Sequence, residues 1–218
     1  MKIKVRRVLK PKVKGIQMIV FDMQILFIIV LPLWLIYKII SYIMKAKKKK
    51  VLDLKKELLI NGFFIYCLTV VGITFFPLFI GNDGLPGSFI SINYIPVLRT
   101  LNELKEIQSS SISNFMLKFW IRNIGGNLVL LMPLGILLPI LWNKFRGLKV
   151  MIITGLSISF MIEALQLLSV LIGNRGRAFD VDDLILNTIG AGIGYGLYYL
   201  YLIVLRKHMK VQALYKEV

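Results

Sequence analysis

Five apolar runs alternate with polar stretches along the chain: Met18–Met44, Leu58–Ile80, Gly125–Trp142, Val150–Ile172 and Leu184–Leu205. Each is close to the roughly 20 residues needed to cross a hydrocarbon core of about 30 Å. Lipid offers backbone N–H and C=O groups no hydrogen-bond partner, so a crossing run is predicted to be helical. The pattern therefore predicts an all-α fold, a polytopic membrane helix bundle. The first run is the weakest, since it carries Asp22, Gln24, Pro32 and Lys38. The lysine-rich stretch "MKAKKKKVLDLKK" sets it apart from the other four. The expected organisation is a basic tail at 1–17, an extra hydrophobic segment with its lysine-rich linker at 18–57, a four-helix transmembrane domain at 58–205 and a basic C-terminal tail at 206–218. Two placements of the first run stay open: a crossing helix, or a re-entrant or interfacial one bent at Pro32.

The polar residues inside the runs fall on faces. With 3.6 residues per turn, Gly155, Ser159, Glu163 and Gln166 form one stripe of the fourth run. Asp183, Asn187, Gly190, Gly194 and Tyr198 share one face of the fifth, and Asn127 stands one turn after Asn123 in the third. The fourth and fifth runs are joined by a short loop, so they are expected to pack as antiparallel neighbours. The Gly190/Gly194 stripe, with its GxxxG spacing, is expected to face the fourth run, since small residues let helices approach closely. That arrangement gathers Asn127, Glu163, Gln166, Asp183 and Asn187 in one half of the membrane. Arg175, Arg177 and Asp180 of the joining loop would cap them. An intramembrane acid is costly and marks a functional site by default. The alternative is structural: Glu163 as the partner of an arginine or amide, Asp182 or Asp183 as the cap of the fifth helix, and the amides as interhelical bonds. Tyr198, Tyr199 and Tyr201 are expected to form an interfacial aromatic belt.

Composition narrows the class further. With 57% hydrophobic residues, 18% charged and a mean hydropathy of +0.74, a soluble domain is excluded. A net charge of +17 would point to nucleic acid in a soluble protein. Here the basic residues flank the apolar runs, so they are assigned to topology and anionic headgroups, and no nucleic-acid partner is expected. Lys144, Arg146 and Lys149, with Arg206, Lys207, Lys210 and Lys216, place the C-terminus in the cytoplasm and the polar cluster outside. If the first run crosses, the basic N-terminus then lies outside, against the same rule. The apolar run after the N-terminus is too long for a signal-peptide core and is expected to be retained. The lone Cys67, in mid-span, is expected to be buried and inert. No metal site can be drawn around the single histidine, His208. "GAGIGYG" has Tyr195 where a dinucleotide fingerprint needs its third glycine, so no cofactor is expected. The pattern carries no signal for an oligomeric state.

Three stretches taken together, "GNLVLLMPLGILLPILW", "SFMIEALQLL" and "RGRAFDVDDLILNTIGAGIGYGLY", resemble the VanZ-like membrane proteins. The upstream "FFPL" and "INYIP" are similar to that family's first outer loop. The resemblance covers roughly Leu58 to Leu205 and leaves the first run outside it. The matching motif residues are Asn127, Pro133, Gly135, Glu163, Gln166, Arg177, Asp180, Asp182, Asp183 and Asn187. The family takes its name from a protein linked to lowered susceptibility to teicoplanin-type lipoglycopeptides. The resemblance implies a bacterial, Gram-positive cell membrane and supplies no reaction. Three classes of function stay open. The first is binding of a membrane lipid or lipid-linked wall precursor, with Arg175 and Arg177 as phosphate partners. The second is an intramembrane hydrolase or transferase using Glu163 as acid and Asp180, Asp182 or Asp183 as base. The third is a structural or transport role.

Overall fold

A computed structural model of the chain describes residues 17–49, 51–82, 92–96, 105, 113–171 and 179–216. Its helices are α1 (Met23–Lys47), α2 (Leu54–Phe75), α3 (Ser113–Leu130), α4 (Met132–Leu141), α5 (Leu148–Leu171) and α6 (Val181–Lys216). Five stretches are long and apolar enough to cross a membrane: Met23–Lys47, Leu54–Phe75, Trp120–Leu141, Leu148–Val170 and Val181–Leu205. The all-α bundle holds. It carries two short strand pairings that no hydrophobic pattern announced: β1 (Gln17–Phe21) runs antiparallel to β2 (Leu78–Asn82), and β3 (Ile92–Asn93) runs parallel to β4 (Phe179–Asp180). All four strands lie at one end of the bundle, termed here the strand end. The turn Asn143–Phe145 lies at the other, the lysine end.

The first apolar run is one unbroken 25-residue helix, in spite of Pro32. It packs antiparallel to α2. Trp34 stacks on Phe64 with ring centroids 3.8 Å apart, and its Nε1 donates to Asn61 Oδ1 at 3.2 Å. Lys38, a liability when α1 is read alone, is buried and paired with Glu57 at 2.7 Å. Lys45 reaches the other oxygen of the same carboxylate. Asp53 caps α2 by accepting from the Lys56 N–H at 3.1 Å. Cys67 is half-buried on α2 rather than fully enclosed.

The third apolar run is two helices, not one. The chain breaks at Leu131, and Pro133 sits in the first turn of α4, where an N–H has no acceptor within that helix. Helix α3 begins at Ser113, well inside what the polar pattern suggested was loop. Helix α6 is central: it packs parallel to α3–α4 and antiparallel to α5. The glycines show how close it comes. A Cβ on Gly190 would lie 2.0 Å from the Leu128 carbonyl oxygen, and one on Gly194 2.0 Å from that of Met132. The glycine stripe therefore faces the third apolar run, contrary to the expectation that it faces the fourth. The fourth approaches through Gly155, whose added Cβ would meet Ala191 Cβ at 2.8 Å. Leu131, Leu134, Leu138, Met151, Ile162 and Ala191 form the core between these helices. Tyr198 is buried in the bundle, while Tyr199 and Tyr201 are exposed, so only two of the three tyrosines are available to an interfacial belt.

Candidate functional site

At the strand end, α2 and α3 draw apart and leave a cavity of about 590 Å³ between them, backed by α5 and α6. Tyr66, Thr69, Val70, Ile73 and Thr74 line it from α2, and Arg122, Asn123, Gly126, Asn127, Val129 and Leu130 from α3. Pro133 of α4 adds to the wall; Ile162, Glu163 and Gln166 come from α5, and Asp183 and Asn187 from α6. Its floor is a hydrogen bond across the gap, from Tyr66 Oη to the Leu130 carbonyl at 2.8 Å. Its upper back wall is held by Gln166 Nε2, which donates to the Thr74 carbonyl at 3.0 Å. Tyr66 and Thr74 are eight positions apart, so the slot is about 12 Å deep at 1.5 Å per residue.

Each polar group in the slot has a local reason for its position. Glu163 is 2% exposed, and its Oε2 accepts from the Asp180 backbone N–H at 3.0 Å. The Asp180 side chain does two things at once. Its Oδ1 accepts from the Asp182 N–H at 2.9 Å, which caps α6, and from Asn93 Nδ2 at 2.7 Å. The cap of this helix is thus Asp180, not Asp182 or Asp183, because α6 starts at Val181. The bond to Asn93 ties β3 to β4, so the "INYIP" stretch is fastened to the α6 start. Asp182 is buried nearby and does not line the slot. Asp183 accepts from Asn127 Nδ2 and levels α3 with α6.

Asn187 is 1% exposed, and its Nδ2 donates to Ser159 Oγ at 3.1 Å. Its other amide atom, Oδ1, is buried with no hydrogen-bond partner among the described residues. Turning the amide over exchanges the two atoms but still leaves one unpaired. A buried unpaired polar atom costs about 1–3 kcal/mol, and native structures carry few of them.

The predicted residues Asn127, Glu163, Gln166, Asp183 and Asn187 come together in one slot. Asp180 stands behind it and positions Glu163. Arg175 and Arg177, expected to cap the cluster, lie outside the described residues, as do 97–104 and 106–112 of the polar stretch between the second and third apolar runs. The sequence reading missed Arg122 and the α2 wall. Arg122 lines the slot, is exposed, and has no ion-pair or hydrogen-bond partner among the described residues. Its signal was the spacing Arg122, Gly126, Leu130, Pro133, which follows one helical face into the membrane. Among the described residues no three of His, Cys, Asp and Glu are grouped to hold a metal ion.

A family model described as VanZ/LLP1 matches residues 63–204, which takes in α3 to α5 and most of α2 and α6 but not α1. No curated protein and no solved structure matches the chain.

Proposed function

The chain belongs to the VanZ/LLP1 family and is a multi-pass membrane protein, and from that premise we propose that it binds an envelope lipid or lipid-linked wall precursor of a Gram-positive cell membrane. One observation carries the reading: four crossing helices converge their polar side chains on a slot between α2 and α3, whose wall also offers apolar Val70, Ile73 and Val129 to a lipid chain. The carboxylates support binding over catalysis. Glu163 and Asp183 each hold a donor from another part of the chain, so both serve as fasteners of the wall.

The strand end is assigned to the outer face, because Lys144, Arg146 and Lys149 stand at the opposite end. This puts the slot where teicoplanin-type lipoglycopeptides meet their target, and expression of the chain is expected to lower susceptibility to them. It also puts β1, and with it the start of a crossing α1, on the outer side. In a Cys67→Ser background, a cysteine at position 147 is expected to resist an impermeant thiol reagent in intact cells and to react after permeabilisation. Labelling in intact cells would reverse the orientation.

Filling the slot tests the binding itself. Gly126 lines the slot, and a Cβ built there meets nothing within 4 Å. Gly125 has the same free space but is not part of the lining. Gly126→Phe is expected to fold normally yet lose both co-purifying lipid and protection against lipoglycopeptide. Gly125→Phe is expected to keep both. Equal behaviour of the two variants would remove the slot from the function.

A further inference from the structure

Three groups of the slot bear on what it could hold. Arg122 at the rim is a cation without a partner among the described residues. Asn187 Oδ1, deep in the back wall, is a buried acceptor without a donor among the described residues. The Val129 carbonyl lacks its helical donor, because the residue four positions on is Pro133, which has no N–H. Val129 and Pro133 both line the slot. Irregular backbone at membrane depth is tolerated where it borders a cavity, and broken helices at such places hold ligands in other membrane proteins.

The spacing of these groups limits the ligand. Asn127 and Asp183 are bonded to each other and mark one level of the bundle. Arg122 lies five positions toward the strand end on α3, and Asn187 four positions toward the lysine end on α6. The backbone levels of Arg122 and Asn187 are therefore about 13 Å apart along the bundle axis, a span that the Arg122 side chain shortens. A phosphate ester of ethanolamine or glycerol offers only one or two donors on a short flexible chain. A sugar ring esterified to phosphate carries several hydroxyls farther out. It suits a wall of amides (Asn123, Asn127, Gln166, Asn187) with one aromatic ring, Tyr66.

We infer that the headgroup held in the slot is a sugar phosphate: its phosphate rests on Arg122, and its hydroxyls donate to the Val129 carbonyl and to Asn187 Oδ1. The inference rests on the lipid-binding reading above and adds the headgroup class. The lipid slides in sideways through the gap between α2 and α3, whose floor is the Tyr66–Leu130 bond. Its chain stays against Val70, Ile73 and Val129.

The test uses the full chain in phosphatidylcholine nanodiscs, with binding read by native mass spectrometry. The probes are a polyprenyl-phosphate-linked hexose, polyprenyl phosphate alone, phosphatidylethanolamine, phosphatidylglycerol and a free hexose 1-phosphate. The linked hexose is expected to bind best. Arg122→Gln, at an exposed site, is expected to weaken every polyprenyl probe by about tenfold, the effect of one lost charged contact. The pair Ser159→Ala with Asn187→Leu removes both members of the buried hydrogen bond together, which limits the damage to folding. It is expected to weaken the linked hexose by about tenfold and to leave polyprenyl phosphate unchanged. Equal binding of phosphatidylethanolamine, phosphatidylglycerol and the linked hexose overturns the sugar assignment while lipid binding stands. So does a double variant that still prefers the sugar. Free hexose phosphate binding as tightly as the linked form keeps the headgroup chemistry and overturns the lipid reading. Binding of no probe overturns both.

Discussion

Gly190→Ala and Gly194→Ala are each expected to yield little or no folded protein. In both cases the new methyl would stand 2.0 Å from a backbone carbonyl oxygen, of Leu128 or of Met132. A side chain could rotate out of the way, but a carbonyl oxygen moves only with its helix. Relief requires α6 to withdraw from α3–α4 by more than an ångström, and the withdrawal loosens the core around Leu131, Leu134 and Ala191. Overpacking of this kind costs about 1–3 kcal/mol where neighbours can shift and more where they cannot. Gly135 makes the same contact from the other side, with an added Cβ 2.1 Å from the Ala191 oxygen, so Gly135→Ala should behave alike. Gly196→Ala is the comparison. Nothing lies within 4 Å of its added Cβ, and the gain in helix propensity of up to about 1 kcal/mol should leave it as stable as the parent or more so. Thermal unfolding in detergent and the monodisperse fraction decide the matter. If Gly190→Ala and Gly194→Ala melt with Gly196→Ala, the close parallel packing of α6 on α3–α4 is wrong.

The second large effect is expected at Glu163. Leucine there removes the acceptor of the Asp180 N–H, in a site where Glu163 is 2% exposed. An orphaned buried donor costs about 1–3 kcal/mol. The damage spreads, because Asp180 also caps α6 and holds Asn93. Glutamine differs: its amide oxygen can still accept from the Asp180 N–H. Glu163→Leu should therefore lose folded yield, while Glu163→Gln should stay within about 1 kcal/mol of the parent. Lipid retention separates the carboxylate's charge from its role as a fastener. On the lipid-binding proposal, a Glu163→Gln protein that folds and retains as much lipid as the parent leaves Glu163 structural only. Stability of Glu163→Leu equal to that of the parent would break the proposed link between α5 and the start of α6.

The slot's residues were legible where helical periodicity alone decides. Asn127, Glu163, Gln166, Asp183 and Asn187 lie on helix faces, and a polar face inside lipid has nowhere to go but inward. Other features depend on facts that periodicity does not hold. A capping residue is set by where a helix begins, and a shift of two or three positions moved the cap from Asp182 or Asp183 to Asp180. A glycine stripe shows that a face can come close to a neighbour but not to which one. The short loop favoured α5, yet α6 lies between α5 and α3–α4 and gave its glycines to the latter. Arg122 lies just before the apolar run Gly125–Trp142, among polar residues, as the headgroup end of a crossing helix does. Lys38 registered only as a cost, since its partner Glu57 lies on another helix. The strand pairings join residues far apart in the chain, and five-residue or two-residue strands leave too little alternation to read.

The bond between Glu163 and the Asp180 N–H also bears on biosynthesis. The donor lies 17 residues later in the chain than the carboxylate it serves. When Glu163 leaves the ribosomal exit tunnel, that donor is still inside it. Acidic residues at a helix centre oppose membrane insertion by about 2.5–3.5 kcal/mol, a penalty α5 would carry alone. The chain avoids this if α5 waits beside the insertion machinery until α6 emerges, and the two then enter the bilayer as one helical hairpin with the acid already covered.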